Sequence, residues 1–190
     1  MERRILAQGT IGFALAFAVW GLLSGLAPLF KQQYSLSQTQ VSLMVAIPVL
    51  LGSLGRIPVG LLADRIGPRR VFAALLCSAT VPALALALRH DYQSLLAWGV
   101  LLGLGGTTFA VGVAYTAPWF PKERQGWAMG IFGLGTGGQS LAVFGGPLLA
   151  KQFGMAAPFL LFGSLVLLWG ILLGRFGADP PNRKPAASLA

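Results

Sequence analysis

Residues Gly55–Arg70 read "GRIPVGLLADRIGPRR". Two kinds of sequence meet there. "ADRIGPRR" is dense in charge, whereas "GRIPVGLL" is apolar except for Arg56, eight residues ahead of Asp64. Whether that arginine lies on a soluble surface or inside a membrane helix decides the fold, and the rest of the chain supplies the answer.

Of 190 residues, 55% are hydrophobic and only 10% charged, with a mean hydropathy of +0.73. A soluble domain carries about 25% charged residues. So few charges cannot coat a globular surface, and the chain reads as an integral membrane protein in a lipid bilayer. Its 26 glycines and 12 prolines fall mostly within apolar segments, as in packed membrane helices. The net charge of +9 does not mark a nucleic-acid partner, because the cations punctuate apolar segments instead of forming one face or tail. With one cysteine, Cys77, and one histidine, His90, neither a disulfide nor a cysteine or histidine metal site can be assembled, and no cofactor is expected. The N-terminal apolar run is too long for a signal-peptide core and reads as a first membrane helix.

A hydrocarbon core of about 30 Å needs roughly 20 helical residues. Six segments qualify: 9–30, 40–62, 71–88, 94–117, 126–150 and 155–174. Lys and Arg distribute unevenly between them. On one side lie Arg3, Arg4, Arg65, Arg69, Arg70, Lys122, Arg124, Arg175, Arg183 and Lys184; on the other lie Lys31, Arg89 and Lys151. The expected fold is therefore an all-α bundle of six transmembrane helices over residues 1–175, with both termini cytoplasmic, in the cell membrane. The proline-rich, polar stretch 176–190 reads as a disordered cytoplasmic tail. The loops are too short to hold a soluble catalytic domain.

The cluster "GLLADRIGPRR" (Gly60, Asp64, Arg65, Gly67, Arg69, Arg70) resembles the loop signature of the major facilitator superfamily, roughly G-x-L-a-D-r-x-G-r-[KR]. Pro68 replaces the first basic residue of that pattern. The resemblance implies the N-terminal six-helix half of a transporter. Physically the loop reads as a cytoplasmic latch: Asp64 can accept hydrogen bonds from an arginine or a facing helix N-terminus, while Gly60 and Gly67 permit close approach and a tight turn. The plainer alternative is that these charges only set topology.

Arg56 does not belong to that cluster. Eight helical residues place it roughly 12 Å in from the end of its helix. An intramembrane arginine costs about 2.5–3.5 kcal/mol or more on insertion scales, so it should face the bundle interior and have a partner. None of the spans carries a counter-charge. Two readings stand: a transported anion completes the guanidinium fork, or carbonyls of a neighbouring helix cap it.

The stretch Gly103–Gly154 sharpens the resemblance. "GGTTFAVG", "WFPKERQG" and "GIFGLGTGG", with "FAVWGLLSGLAPLF" in the first span, are similar to the nitrate/nitrite porter family. That likeness implies a planar anion held by one arginine from each half and sandwiched by aromatic rings, with Arg56 and Phe109 as this half's contribution. The alternative for Phe109 is ordinary packing. The run Gly130, Gly133, Gly135, Thr136, Gly137, Gly138 resembles the family's signature in span five, with Thr136 where relatives carry Asn; glycines so spaced also serve helix packing. An arginine that proton-coupled relatives carry near Gly99 is missing, and the spans hold no carboxylate, which favours anion exchange over a proton relay.

The resulting expectation is a secondary transporter, or half of one, for nitrate or nitrite by alternating access, completed by a second six-helix half or by a homodimer. A non-transporting half that docks on another membrane protein is the alternative. No catalytic constellation is present, so an enzyme is not expected.

Overall fold

The break at Gly55 divides the opening stretch. α2 (Gln38–Leu54) ends there, α3 (Arg56–Ile66) begins with Arg56, and the two axes differ by 41°. Gly67 alone then joins α3 to α4 (Pro68–Leu88), at φ 109°, a left-handed conformation that glycine adopts without penalty. Pro68, with no N–H to lose and φ preset, opens α4. A computed structural model describes residues 1–180, and every regular element among the described residues is helical. The remaining helices are α1 (Glu2–Gln33), α5 (Tyr92–Leu102), α6 (Thr108–Thr116), α7 (Lys122–Gly133), α8 (Gly137–Phe153) and α9 (Ala156–Phe176).

Local chemistry sets the helix ends outside the membrane. Ser37 and Gln40 form a reciprocal capping box at α2: Gln40 N–H donates to Ser37 Oγ at 3.2 Å, and Ser37 N–H to Gln40 Oε1 at 2.8 Å. Asp91 caps α5, accepting from Ser94 N–H at 3.2 Å, Ser94 Oγ at 2.9 Å and Arg89 Nε at 2.7 Å.

α1 is the axial helix, packed by α2 and by each of α4 to α9. It buries Phe13, Val19, Leu22, Leu26 and Phe30 completely. α4 lies along α9, where Gly170 admits Cys77 and Thr80 Oγ1 donates to the Gly163 carbonyl at 3.3 Å. α8 lies along α1 through close glycine contacts. Helices this apolar on all sides cannot use the hydrophobic effect to choose partners in lipid, so small residues that let backbones approach decide the packing.

Four helical stretches are long and apolar enough to cross a membrane: Glu2–Gln33, Pro68–Leu88, Tyr92–Trp119 and Ala156–Phe176; the bent pair α2–α3 makes a fifth. The segment expected to be one continuous span over 126–150 is instead two shorter helices, α7 and α8, parted by a 3₁₀ turn at Leu134–Thr136 within its glycine run. Large apolar side chains stand exposed on α2–α3 (Leu54, Ile57) and on α7–α8 (Leu134, Phe144).

The start of the stretch expected to be a disordered tail is seated on the bundle. Arg4 Nη2 donates to the Phe176 carbonyl at 2.9 Å, Arg69 Nη1 to the Gly177 carbonyl at 3.0 Å, and the Arg69 N–H to Asp179 Oδ1 at 3.1 Å. A carboxylate on the first turn of α4 satisfies a free N–H and the helix dipole together. The remainder of that stretch, 181–190, with Arg183 and Lys184, lies outside the described residues.

Candidate functional site

A glycine seam fixes where Arg56 goes. Gly52 of α2 faces the Gly103 carbonyl and the Gly106 Cα, so closely that an added Cβ would lie 2.9 and 3.4 Å from them; one on Gly103 would run into the Pro48 carbonyl. α2 therefore rests directly on the backbone of a 3₁₀ turn, Gly103–Thr107, between α5 and α6. Two hydroxyls brace that turn: Thr107 donates to the Leu104 carbonyl at 2.6 Å and Thr108 to the Gly105 carbonyl at 2.5 Å. At the end of the seam Arg56 Nε donates to the Gly106 carbonyl at 3.4 Å, its one side-chain hydrogen bond among the described residues. The residue is otherwise exposed. The carbonyl cap anticipated as one alternative is present, and it engages a single donor of the five in the fork.

Phe109 follows Gly106 by one helical turn and is 41% exposed. Its ring centroid lies 5.5 Å from that of Phe13 and 6.0 Å from that of Phe132. Phe13 stacks on Phe132 at 4.8 Å, and the series continues along α1 through Phe17 (4.4 Å from Phe13) to Trp20 (5.0 Å from Phe17). These three α1 aromatics, at i, i+4 and i+7, form a ladder that the spacing in "FALAFAVW" discloses and that a reading focused on Phe109 passes over.

The glycine run in span five divides by face. Gly135 sits against Phe13 and the Thr10 carbonyl, and a Cβ on Gly138 would overlap the Ala14 carbonyl. Gly133 and Gly137 have nothing within 4 Å of where a Cβ would stand. Thr136 is exposed, and its hydroxyl donates to the Gly133 carbonyl at the end of α7 at 2.8 Å. Phe13 thus links Phe109 on one side to Gly135 on the other, and brings the span-four and span-five motifs into one cluster around α1.

The residues read as a loop lie elsewhere and are helical except for Gly67: Gly60, Asp64 and Arg65 are in α3, and Arg69 and Arg70 are in the first turn of α4. Gly67 makes the tight turn expected of it. Gly60, expected to permit close approach, has no described residue within 4 Å of where its Cβ would stand. Arg69 is engaged within its own bundle by Asp179, 3.6 Å away, and by the Gly177 carbonyl.

The Major Facilitator Superfamily profile matches residues 9–190. The chain is 35% identical over 195 residues to a Thermus thermophilus protein named "Probable nitrate/nitrite antiporter NarK1", covering 96% of this chain and 44% of that one. It is 33% identical over 184 residues to the "Nitrite extrusion protein" of Bacillus subtilis, covering 97% and 46%. The chain thus spans less than half the length of either relative. Among solved structures, a bacterial homolog of the human lysosomal transporter Spinster, crystallised inward-facing and occupied, superposes with a TM-score of 0.80 at 18% identity, over 94% of this chain and 45% of that one. At that identity the likeness is one of fold.

Proposed function

The chain belongs to the major facilitator superfamily, and on that premise we propose that it forms one side of a secondary transport path for a small planar oxyanion, nitrate or nitrite. Arg56 is the anion-binding cation. The observation that carries this is its placement: an exposed guanidinium fork at a helix break, giving one N–H to the Gly106 carbonyl, itself one helical turn before the half-exposed ring of Phe109. Two parallel donors match two oxygens of a planar anion, and the Phe109 ring covers its face. The names of these relatives supply the substrate class.

The path runs through six spans, with α7 and α8 as one interrupted span, and both termini are cytoplasmic. The five carboxylates, Glu2, Asp64, Asp91, Glu123 and Asp179, all stand at helix ends or beyond them, which supports exchange of anions over proton relay. The open faces of α2–α3 and α7–α8 are closed by a second six-helix body, which a second copy related by an axis along the membrane normal would supply. In such an assembly the α3–α4 corner from Gly60 to Arg70, with Asp64 as its acceptor, latches one conformation.

Proteoliposomes containing the chain test this. Nitrate and nitrite should exchange and chloride should not. Arg56→Ala should abolish exchange, and Arg56→Lys, which keeps the charge but loses the fork, should lower it by about tenfold or more, the equivalent of one charge-assisted hydrogen bond. Exchange that survives Arg56→Ala unchanged would remove the anion site from Arg56.

A further inference from the structure

We infer that a second hydrogen-bonding station for the same oxyanion is built from Trp20, Ser24 and Gln139, on the side of Arg56 away from the Asp64 loop. This rests on the anion-path reading above. A cavity of about 40 Å³ is walled by these three side chains together with Leu23, Pro48 and Val49. One water needs roughly 10–15 Å³ on the same measure, so the space accommodates about three oxygens. Pro48 lies eight residues before Arg56, about 12 Å along the helix at 1.5 Å per residue.

Two donors carried by the lining residues lack acceptors. Trp20 Nε1 is buried and has no hydrogen-bond partner. An indole N–H can only donate, and leaving one unsatisfied is costly. The Gln139 amide makes no hydrogen bond among the described residues. It is brought to the wall because Gly21 of α1 has no side chain: a Cβ there would meet Gln139 Cγ at 2.9 Å. The Ser24 hydroxyl donates to the Gly21 carbonyl at 2.8 Å. The lining therefore carries the unpaired Gln139 amide, backed by the unpaired Trp20 N–H, with no carboxylate to repel an anion and no cation to trap one. Conduction through successive sites needs that kind of intermediate affinity. Trp20 also joins the two levels, since its Cε2 lies 3.8 Å from where a Gly106 Cβ would be, and the Gly106 carbonyl is the one that holds Arg56. The anion passes from the fork to the neutral station beside Trp20, the half-buried end of the aromatic ladder.

The experiment is sided nitrate exchange in proteoliposomes of the full chain, with the nitrate KM measured separately at each face. Trp20→Phe keeps an aromatic ring and removes the N–H; Gln139→Leu keeps the volume and removes the amide. Each should raise the KM about tenfold at the face nearest residues 34–37, with little change at the opposite face. Gln139→Glu, which puts a negative charge on the wall, should suppress entry from the first face almost completely. Equal changes at both faces, or none, overturn the station while Arg56→Ala still abolishes exchange. A wild-type chain that exchanges no nitrate, or exchange indifferent to Arg56→Ala, overturns the underlying reading and the station with it.

Discussion

Replacing Gly138 and its neighbour Gly137 by alanine, one at a time, separates packing from function in the span-five run. A Cβ on Gly138 would overlap the Ala14 carbonyl oxygen and stand 2.6 Å from its carbon and 2.8 Å from Ala14 Cα. Ordinary contact begins at 3.4 Å, so α8 and α1 must part locally by more than the 0.8 Å that the carbonyl carbon alone requires, the overlapping oxygen demanding the most, to admit one methyl group. The obstacle is backbone on both sides, with no flexible side chain to yield. Overpacking of this kind costs about 1–3 kcal/mol. At about 2–4 °C per kcal/mol for a chain of this length, Gly138→Ala should lower the thermal midpoint of purified protein by roughly 2–12 °C. At Gly137 a methyl meets nothing within 4 Å, and alanine relieves about 0.5–1 kcal/mol of glycine's backbone entropy, so Gly137→Ala should leave the midpoint unchanged or raise it slightly. If the open face meets a second bundle during exchange, the order reverses for flux: Gly137→Ala, stable when folded, should slow exchange. Thermal melts followed by tryptophan fluorescence, beside exchange rates at a temperature where both variants are folded, give both numbers. Equal midpoints for the two variants would refute the division of the glycine run by face.

Phe109→Leu should scarcely alter stability, because the ring is 41% exposed, yet it should raise the nitrate KM in the exchange assay by removing the aromatic face proposed for the anion. Asp179→Asn should weaken the clamp on the first turn of α4, where side chains about 28–29% exposed limit the ion pair to about 1 kcal/mol or less; faster hydrogen exchange at the Arg69 amide is the measurement. Asp91 is held down to about 2 by the Ser94 hydroxyl, then Arg89 and the Ser94 N–H, against an ordinary 3.8. Because its folded value is depressed, its contribution to the α5 cap is fully present above 3.8 and fades as pH falls through about 2. The Ser94 amide resonance should therefore hold steady from neutrality to about pH 4 and shift only below it. Gly67→Ala should destabilise by about 1 kcal/mol or more, since φ 109° is strained for any side chain, with a lowered melting midpoint as the check.

Hydropathy and short-range chemistry determined the membrane class, the helical segments and several of their ends. The scarcity of charge requires lipid; Gly67 followed by Pro68 is a turn and a helix start on any backbone; Ser37 and Asp91 cap because their oxygens lie three residues from the amides they accept. The candidate site was legible in its residue types, Arg56 as an isolated cation and Phe109 within a motif. Its construction was not. In lipid, the face of a helix that meets protein and the face that meets acyl chains are both apolar, so no polar stripe tells them apart and periodicity is silent about partners. Only the folded backbone decides that Gly138 touches Ala14 while Gly137 touches nothing, and that the Gly106 carbonyl caps Arg56 from fifty residues away. Long-range polar pairs are equally invisible. Arg69 reads as a latch residue, yet it reaches a carboxylate 110 residues later; Trp20 and Gln139 share a cavity because Gly21 lets α8 come close. Such meetings depend on which small residue faces which helix, a property of the assembled bundle and not of any one segment.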